Sequence, residues 1–210
     1  MNIAIPIFDR LTALDAVGPY EVLSRLPSAQ VSFVAQQSGP KRTDTGMLAI
    51  TADLTLDELP EPEIIVMPGG VGNRPLIHDE AFLAWLRHAH ETSLWTTSVC
   101  TGSLVLAAAG ILDGVDATTH WLLRDELAAL GARPVDERVV RRGKVITAAG
   151  VSAGIDMALT LAAQIAGDEY AQAIQLGIEY DPQPPFQGGS VAKAPAAIVA
   201  RVRVASKTFA

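Results

Sequence analysis

Cysteine is nearly absent from this sequence: Cys100 stands alone among 210 residues. One thiol permits no intramolecular disulfide, which fits a reducing compartment, and the expectation is a cytoplasmic protein. It also removes the thiolate clusters of structural zinc. The four histidines do not restore a metal site, because His88 and His90 sit two apart on a predicted helix and point to different faces. No metal and no cofactor are expected.

Charge is scarce too. Only 19% of residues are charged and the net charge is -7, with no basic stripe beyond the pair Arg141-Arg142. A partner that is a polyanion, nucleic acid or an anionic membrane surface, is therefore disfavoured. The most apolar long segment, Val145 to Gly167, is interrupted by Ser152, Asp156, Thr160 and Gln164, which suits a buried helix better than a membrane span. A strand-like run begins at Asn2 without the basic and small-residue signals of a secretory leader.

What is present is a hydrophobic share of 49%, enough for a substantial core, with no polar linker, and a single domain over 1–210 is expected. Strand-like runs at Asn2–Phe8, Val31–Gln37, Glu63–Met67 and Leu94–Val99 alternate with helical patterns at Asp15–Leu26, Asp79–Glu91, Thr101–Ala109, His120–Leu130, Ile155–Ala166 and Glu169–Glu179. Thr45–Ala52 has the alternation of an edge hairpin. Val135–Thr147 resembles another, turning at Arg142-Gly143-Lys144. The Ala/Val-rich tail 192–210 predicts a final helix. Alternating strands and helices imply an α/β fold, doubly wound around a mainly parallel sheet flanked by helices.

In such a sheet, ligands bind beyond the carboxyl ends of the strands, and three unusual segments fall there: Leu14-Asp15, Pro68-Gly69-Gly70 and Ser98-Val99-Cys100-Thr101-Gly102-Ser103. Cys100 lies on a strand-to-helix turn, where a side chain is pushed out toward a cavity and the following helix N-terminus favours its ionised form. Gly70 and Thr101 offer backbone N–H groups toward a developing negative charge. Asp15, flanked by apolar residues, admits two readings, a proton-exchanging carboxylate or an ordinary helix N-cap. Cys100 has no histidine beside it. His120 would have to reach it from another segment, and packing is its more ordinary role. Gly69-Gly70-Val71-Gly72 lacks the spacing of a dinucleotide fingerprint.

Together with Leu14-Asp15-Ala16-Val17-Gly18-Pro19, Ala117-Thr118-Thr119-His120-Trp121, Ile178-Glu179-Tyr180 and Pro184-Pro185-Phe186, these segments resemble the PfpI-type class I glutamine amidotransferase-like superfamily. Within it they are most similar to the isonitrile hydratases, also called isocyanide hydratases. The resemblance implies a flavodoxin-like fold with a nucleophile elbow, a homodimer, and addition of water to an isonitrile, R–NC, to give an N-substituted formamide. It implies Cys100 as nucleophile through a covalent thioimidate, Asp15 moving the proton, and Thr101 and Gly70 holding the site. Asp15 and Thr101 stand where other branches carry a Glu and a His. Two further readings share the motif pattern: a glyoxalase- or deglycase-like thiol enzyme, and a non-catalytic ligand or oxidative-stress sensor related to the sensor domains of AraC-type regulators.

Overall fold

Residues 1–206 are described by a computed structural model. They form two units, Met1–Ile178 and one beginning at Glu179. The strands are β1 (Asn2–Pro6), β2 (Gln30–Ala35), β3 (Gly39–Arg42), β4 (Ala49–Ala52), β5 (Leu54–Thr55), β6 (Ile64–Met67), β7 (Trp95–Val99), β8 (Asp116–Ala117), β9 (Arg133–Pro134), β10 (Val139–Arg142) and β11 (Val145–Ala148). The helices are α1 (Ala13–Leu23), α2 (Glu80–Thr92), α3 (Gly102–Ala108), α4 (Arg124–Ala129), α5 (Ala153–Ala166) and α6 (Asp168–Gly177), with α7 (Ala196–Ser206) in the second unit.

Seven strands of the first unit make one sheet in the order β10-β11-β7-β6-β1-β2-β5, parallel throughout except for β10 at one edge. The chain runs from β1 outward through β2 to β5, then returns to the other side of β1 with β6, β7 and β11. The order therefore reverses between β1 and β6, where a doubly wound sheet opens a crevice at its carboxyl edge. Both central strands are buried almost throughout, as the aliphatic runs Ile3-Ala4-Ile5 and Ile64-Ile65-Val66-Met67 require. Helix α5 packs against both α1 and α6, and α3 packs against both α2 and α4. Gly18 lets α1 approach α5 closely, since a Cβ there would lie 3.2 Å from Ile155.

Most expected elements are present with ends moved by one to three residues, and four differences have local causes. The first hairpin pairs β3 with β4, so the alternating stretch Thr45–Ala52 supplies part of the connecting loop and then the second strand, its partner lying before it in the chain. Strand β3 contains Pro40, which a two-stranded ribbon with free edges tolerates. His120–Leu130 is not one helix: a 3-10 turn at Trp121–Leu123 precedes α4, and His120 stays outside both. In the second hairpin only Val139–Arg142 and Val145–Ala148 pair, around Gly143 with φ 58°. The two-residue strands β5, β8 and β9 are too short to carry a period. In the second unit α7 forms within the expected final helix, and positions 207–210 of that expectation lie outside the described residues. No helix of the described residues is long and apolar enough to cross a membrane.

Candidate active site

Cys100 follows β7 with φ 57°, in the left-handed region that side chains other than glycine rarely occupy. The cost, about 1–2 kcal/mol, is tolerated because the turn is held on every side. The Cys100 N–H donates to Ala149 O at 2.9 Å and Ala148 O at 3.1 Å, while its carbonyl accepts from Thr119 Oγ1 at 3.0 Å and Ser103 Oγ at 3.2 Å. Gly102 supplies the room: a Cβ there would lie 2.1 Å from Met67 O. The sequence around the thiol thus folds into the sharp strand-to-helix elbow expected of it.

The crevice brings the other two segments to this elbow. Asp15 is in the first turn of α1 and is fully buried; Thr12 occupies the N-cap position, so the N-cap reading of Asp15 is excluded. Its Oδ2 accepts the Gly69 N–H at 2.9 Å. Its Oδ1 is buried with no hydrogen-bond partner among the described residues, and the Cys100 thiol lies near enough to the carboxyl to act on its proton affinity. Burial pushes the Asp15 carboxyl from 3.8 up to about 7, against the Gly69 and Cys100 hydrogen bonds that lower it, and the charge of Asp44 adds to the rise. A carboxyl so placed exchanges protons near neutral pH.

The thiol does not follow the expectation from its helix. Burial, followed by the charge of Asp15, pushes Cys100 far above the ordinary thiol range, although N–H groups of Val151 and Thr101 lower it. Helix α3 is short, and its partial charge is outweighed by the removal of water from the sulfur. The resting pair is therefore a thiol held against ionisation beside a carboxyl whose proton affinity is raised to the neutral range.

Thr101 Oγ1 accepts the Gly70 N–H at 2.9 Å. The N–H expected to face a developing charge is thus directed at Thr101, and Gly69 and Gly70 serve respectively to hold Asp15 and Thr101. Gly69 must be glycine, because a Cβ would come within 2.6 Å of Thr101 N and Oγ1 and 2.9 Å of Asp15 Oδ2. The sulfur is faced instead by Val151, from the turn before α5, whose relation to the site the sequence leaves open.

Two further residues escape sequence reasoning. Asn73 is buried and donates to the Thr101 carbonyl at 2.7 Å, with only its closeness to Gly69-Gly70 as a signal. Thr119, rather than His120, reaches the elbow. His120 Nδ1 accepts the Leu122 N–H at 3.4 Å, its ring packs against Gly150, and burial lowers its proton affinity. It supports the turn carrying Val151. His88 pairs with Glu61 and His90 bonds Thr96 Oγ1, so the two diverge as expected. No group of three or more metal-binding side chains occurs among the described residues.

A buried cysteine on an elbow at the switch point, with an acid from the first helix against it, defines a thiol-bearing doubly wound domain. The chain belongs to the DJ-1/PfpI family, whose model matches residues 1–164. It is 45% identical to the isonitrile hydratase of Pseudomonas putida over 203 residues, 97% of this chain and 89% of that protein. A THiJ/PfpI family protein from Pseudomonas syringae superposes with a TM-score of 0.95 at 38% identity, over 99% of this chain and 86% of the other. The transcriptional regulator CdhR of Pseudomonas aeruginosa is 29% identical over 80% of this chain and 50% of its own length.

Proposed function

We propose that this protein hydrates isonitriles to N-substituted formamides with Cys100 as the nucleophile. The observation that carries this reading is the buried pair of Asp15 and Cys100, a thiol with a proton acceptor tuned near 7 beside it. The similarity to the isonitrile hydratase over nearly the full length supports the substrate class.

An isonitrile carbon carries a lone pair and an empty acceptor orbital, so addition there needs a nucleophile and a proton in turn. The thiol proton passes to the Asp15 carboxylate as Sγ bonds the terminal carbon, and Asp15 returns it to that same carbon, leaving S–CH=N–R. Water then adds across C=N, its oxygen to carbon and a proton to nitrogen, with Asp15 accepting and returning a proton. The C–S bond breaks, sulfur is reprotonated, and the formamide leaves; the net change is one water added. Because both sulfur and carboxyl start neutral or share one charge, the apolar surroundings favour an uncharged substrate. Thr101 acts through its N–H to the sulfur, and Gly70 by fixing the Thr101 hydroxyl.

A homodimer and a cytoplasmic setting belong to the same proposal, and sedimentation velocity checks the first. The deciding assay follows formamide production from cyclohexyl isonitrile by the wild-type chain and Cys100→Ala, with methylglyoxal in parallel. Turnover confined to the wild type and to the isonitrile is expected. Lactate from methylglyoxal without any formamide would reverse the assignment to a glyoxalase-type enzyme, and no reaction with either would favour a sensor.

A further inference from the structure

The loop joining β3 and β4 reaches back to the site through one residue. Asp44 N–H donates to Leu11 O at 2.9 Å, and Asp44 Oδ2 accepts from Thr12 Oγ1 at 2.9 Å. The Thr12 N–H donates to Gly69 O at 3.0 Å, and the N–H of Gly69 holds Asp15 Oδ2. A continuous path thus runs from an exposed carboxylate, through the residue that caps α1, to the glycine that orients the buried acid.

We propose that Asp44 is a positioning residue for proton transfer at Asp15, acting through Thr12 and Gly69 and through its own charge. The inference rests on the hydratase reading of the site but concerns a residue outside it. Both Asp44 oxygens are engaged, Oδ1 by the Thr45 N–H at 2.8 Å, so the carboxylate is fixed in place. The Leu11–Thr43 bridge ties the same loop to the start of α1. Asp44 also raises the proton affinity of Asp15.

Other ionisable groups on the surrounding elements are accounted for. The elbow brings Cys100. The Pro68–Asn73 turn brings none. The loop after β1 carries Arg10 and Asp9, whose carboxylate accepts the Arg42 N–H; the β3–β4 ribbon carries Lys41 and Arg42; α1 itself carries Tyr20 and Glu21, the latter paired with Arg25; and α5, packed on α1, carries Asp156, which is paired with Arg138. Among these, Asp44 is the one whose charge acts on Asp15, Cys100 acting through a hydrogen bond that lowers its proton affinity. A hairpin loop distant in sequence therefore sets how readily the acid gives up its proton, so changes there would retune the enzyme without altering Cys100 or Asp15.

Two substitutions separate the charge from the link. Asp44→Asn keeps an acceptor for Thr12 but removes the charge; Thr12→Val keeps the charge but removes the hydroxyl. Carbon-13 NMR of aspartate-labelled protein, with the Asp15 resonance assigned by its loss in Asp15→Asn, reads the titration without any substrate. Asp44→Asn should move the Asp15 midpoint down, because the neighbouring negative charge that favours the protonated carboxyl is gone. The acid limb of kcat/KM for isonitrile hydration should move with it. Thr12→Val should leave that midpoint in place and lower kcat severalfold, with Thr12→Ser restoring it. An unmoved midpoint in Asp44→Asn, or wild-type kcat in Thr12→Val, would overturn the proposal. If no variant or wild type hydrates isonitriles, the functional reading fails while the NMR titration still decides the charge effect.

Discussion

Replacing Asp15 by Asn should make the protein more stable above neutral pH and remove a specific part of its pH dependence. The carboxyl is fully buried and titrates near 7 in the folded chain against 3.8 for the ordinary group. Between those values the native state binds a proton that the unfolded chain has released, so stability falls as pH rises through the window. The contribution is fully present below 3.8 and lost above 7. At about 1.4 kcal/mol per pH unit, the loss across it is about 4 kcal/mol. The amide that replaces the carboxyl can still accept the Gly69 N–H and carries no charge to desolvate. Urea denaturation of both proteins from about pH 4 to about pH 8, taken as a difference curve so that other titrating groups cancel, should give a wild-type disadvantage that grows with pH and levels above 7. A flat difference curve would show that the carboxyl is not held protonated by burial, and the proton-transfer argument would fall with it.

The remaining predictions concern the elbow and the thiol. Alkylation of Cys100 by iodoacetamide should be slow at about pH 7 and keep accelerating up to about pH 10, because burial and Asp15 both oppose ionisation; a plateau below about pH 8 would contradict this. Gly102→Ala should cost about 3 kcal/mol in chemical denaturation, since its Cβ would meet the Met67 carbonyl. Thr119→Val removes the hydroxyl bond to Cys100 O and should cost about 1 kcal/mol while lowering kcat more than it raises KM. His120→Phe should retain most activity if the ring only supports the Gly150 turn, and complete loss would give His120 a direct part.

The fold was legible where the chain is regular. Aliphatic runs such as Ile64–Met67 and the amphipathic spacing of Phe82, Trp85, Leu86 and Ala89 carry their own period, and the alternation of strands and helices implied the doubly wound order. The elbow was legible because Cys100 lies between an apolar strand and Gly102. What escaped depends on contacts between distant residues. The use of the Gly70 N–H by Thr101, the approach of Val151 to the sulfur and the part of Asn73 are set by how β6, β7 and β11 bring their ends together, and no local pattern records this. The state of the thiol was misjudged for the same reason: a helix N-terminus is visible in sequence, whereas the degree of burial and the approach of a carboxyl from the first helix are not.

The most direct test of the central claim is rapid quenching of the protein with an isonitrile followed by intact and peptide mass spectrometry. The account predicts a transient adduct at Cys100 heavier than the free protein by the full mass of the isonitrile, because addition expels nothing. It should decay at the rate at which formamide appears and be absent in Cys100→Ala. Formamide production by Cys100→Ala, or wild-type turnover with Cys100 unmodified at every time point, would contradict it.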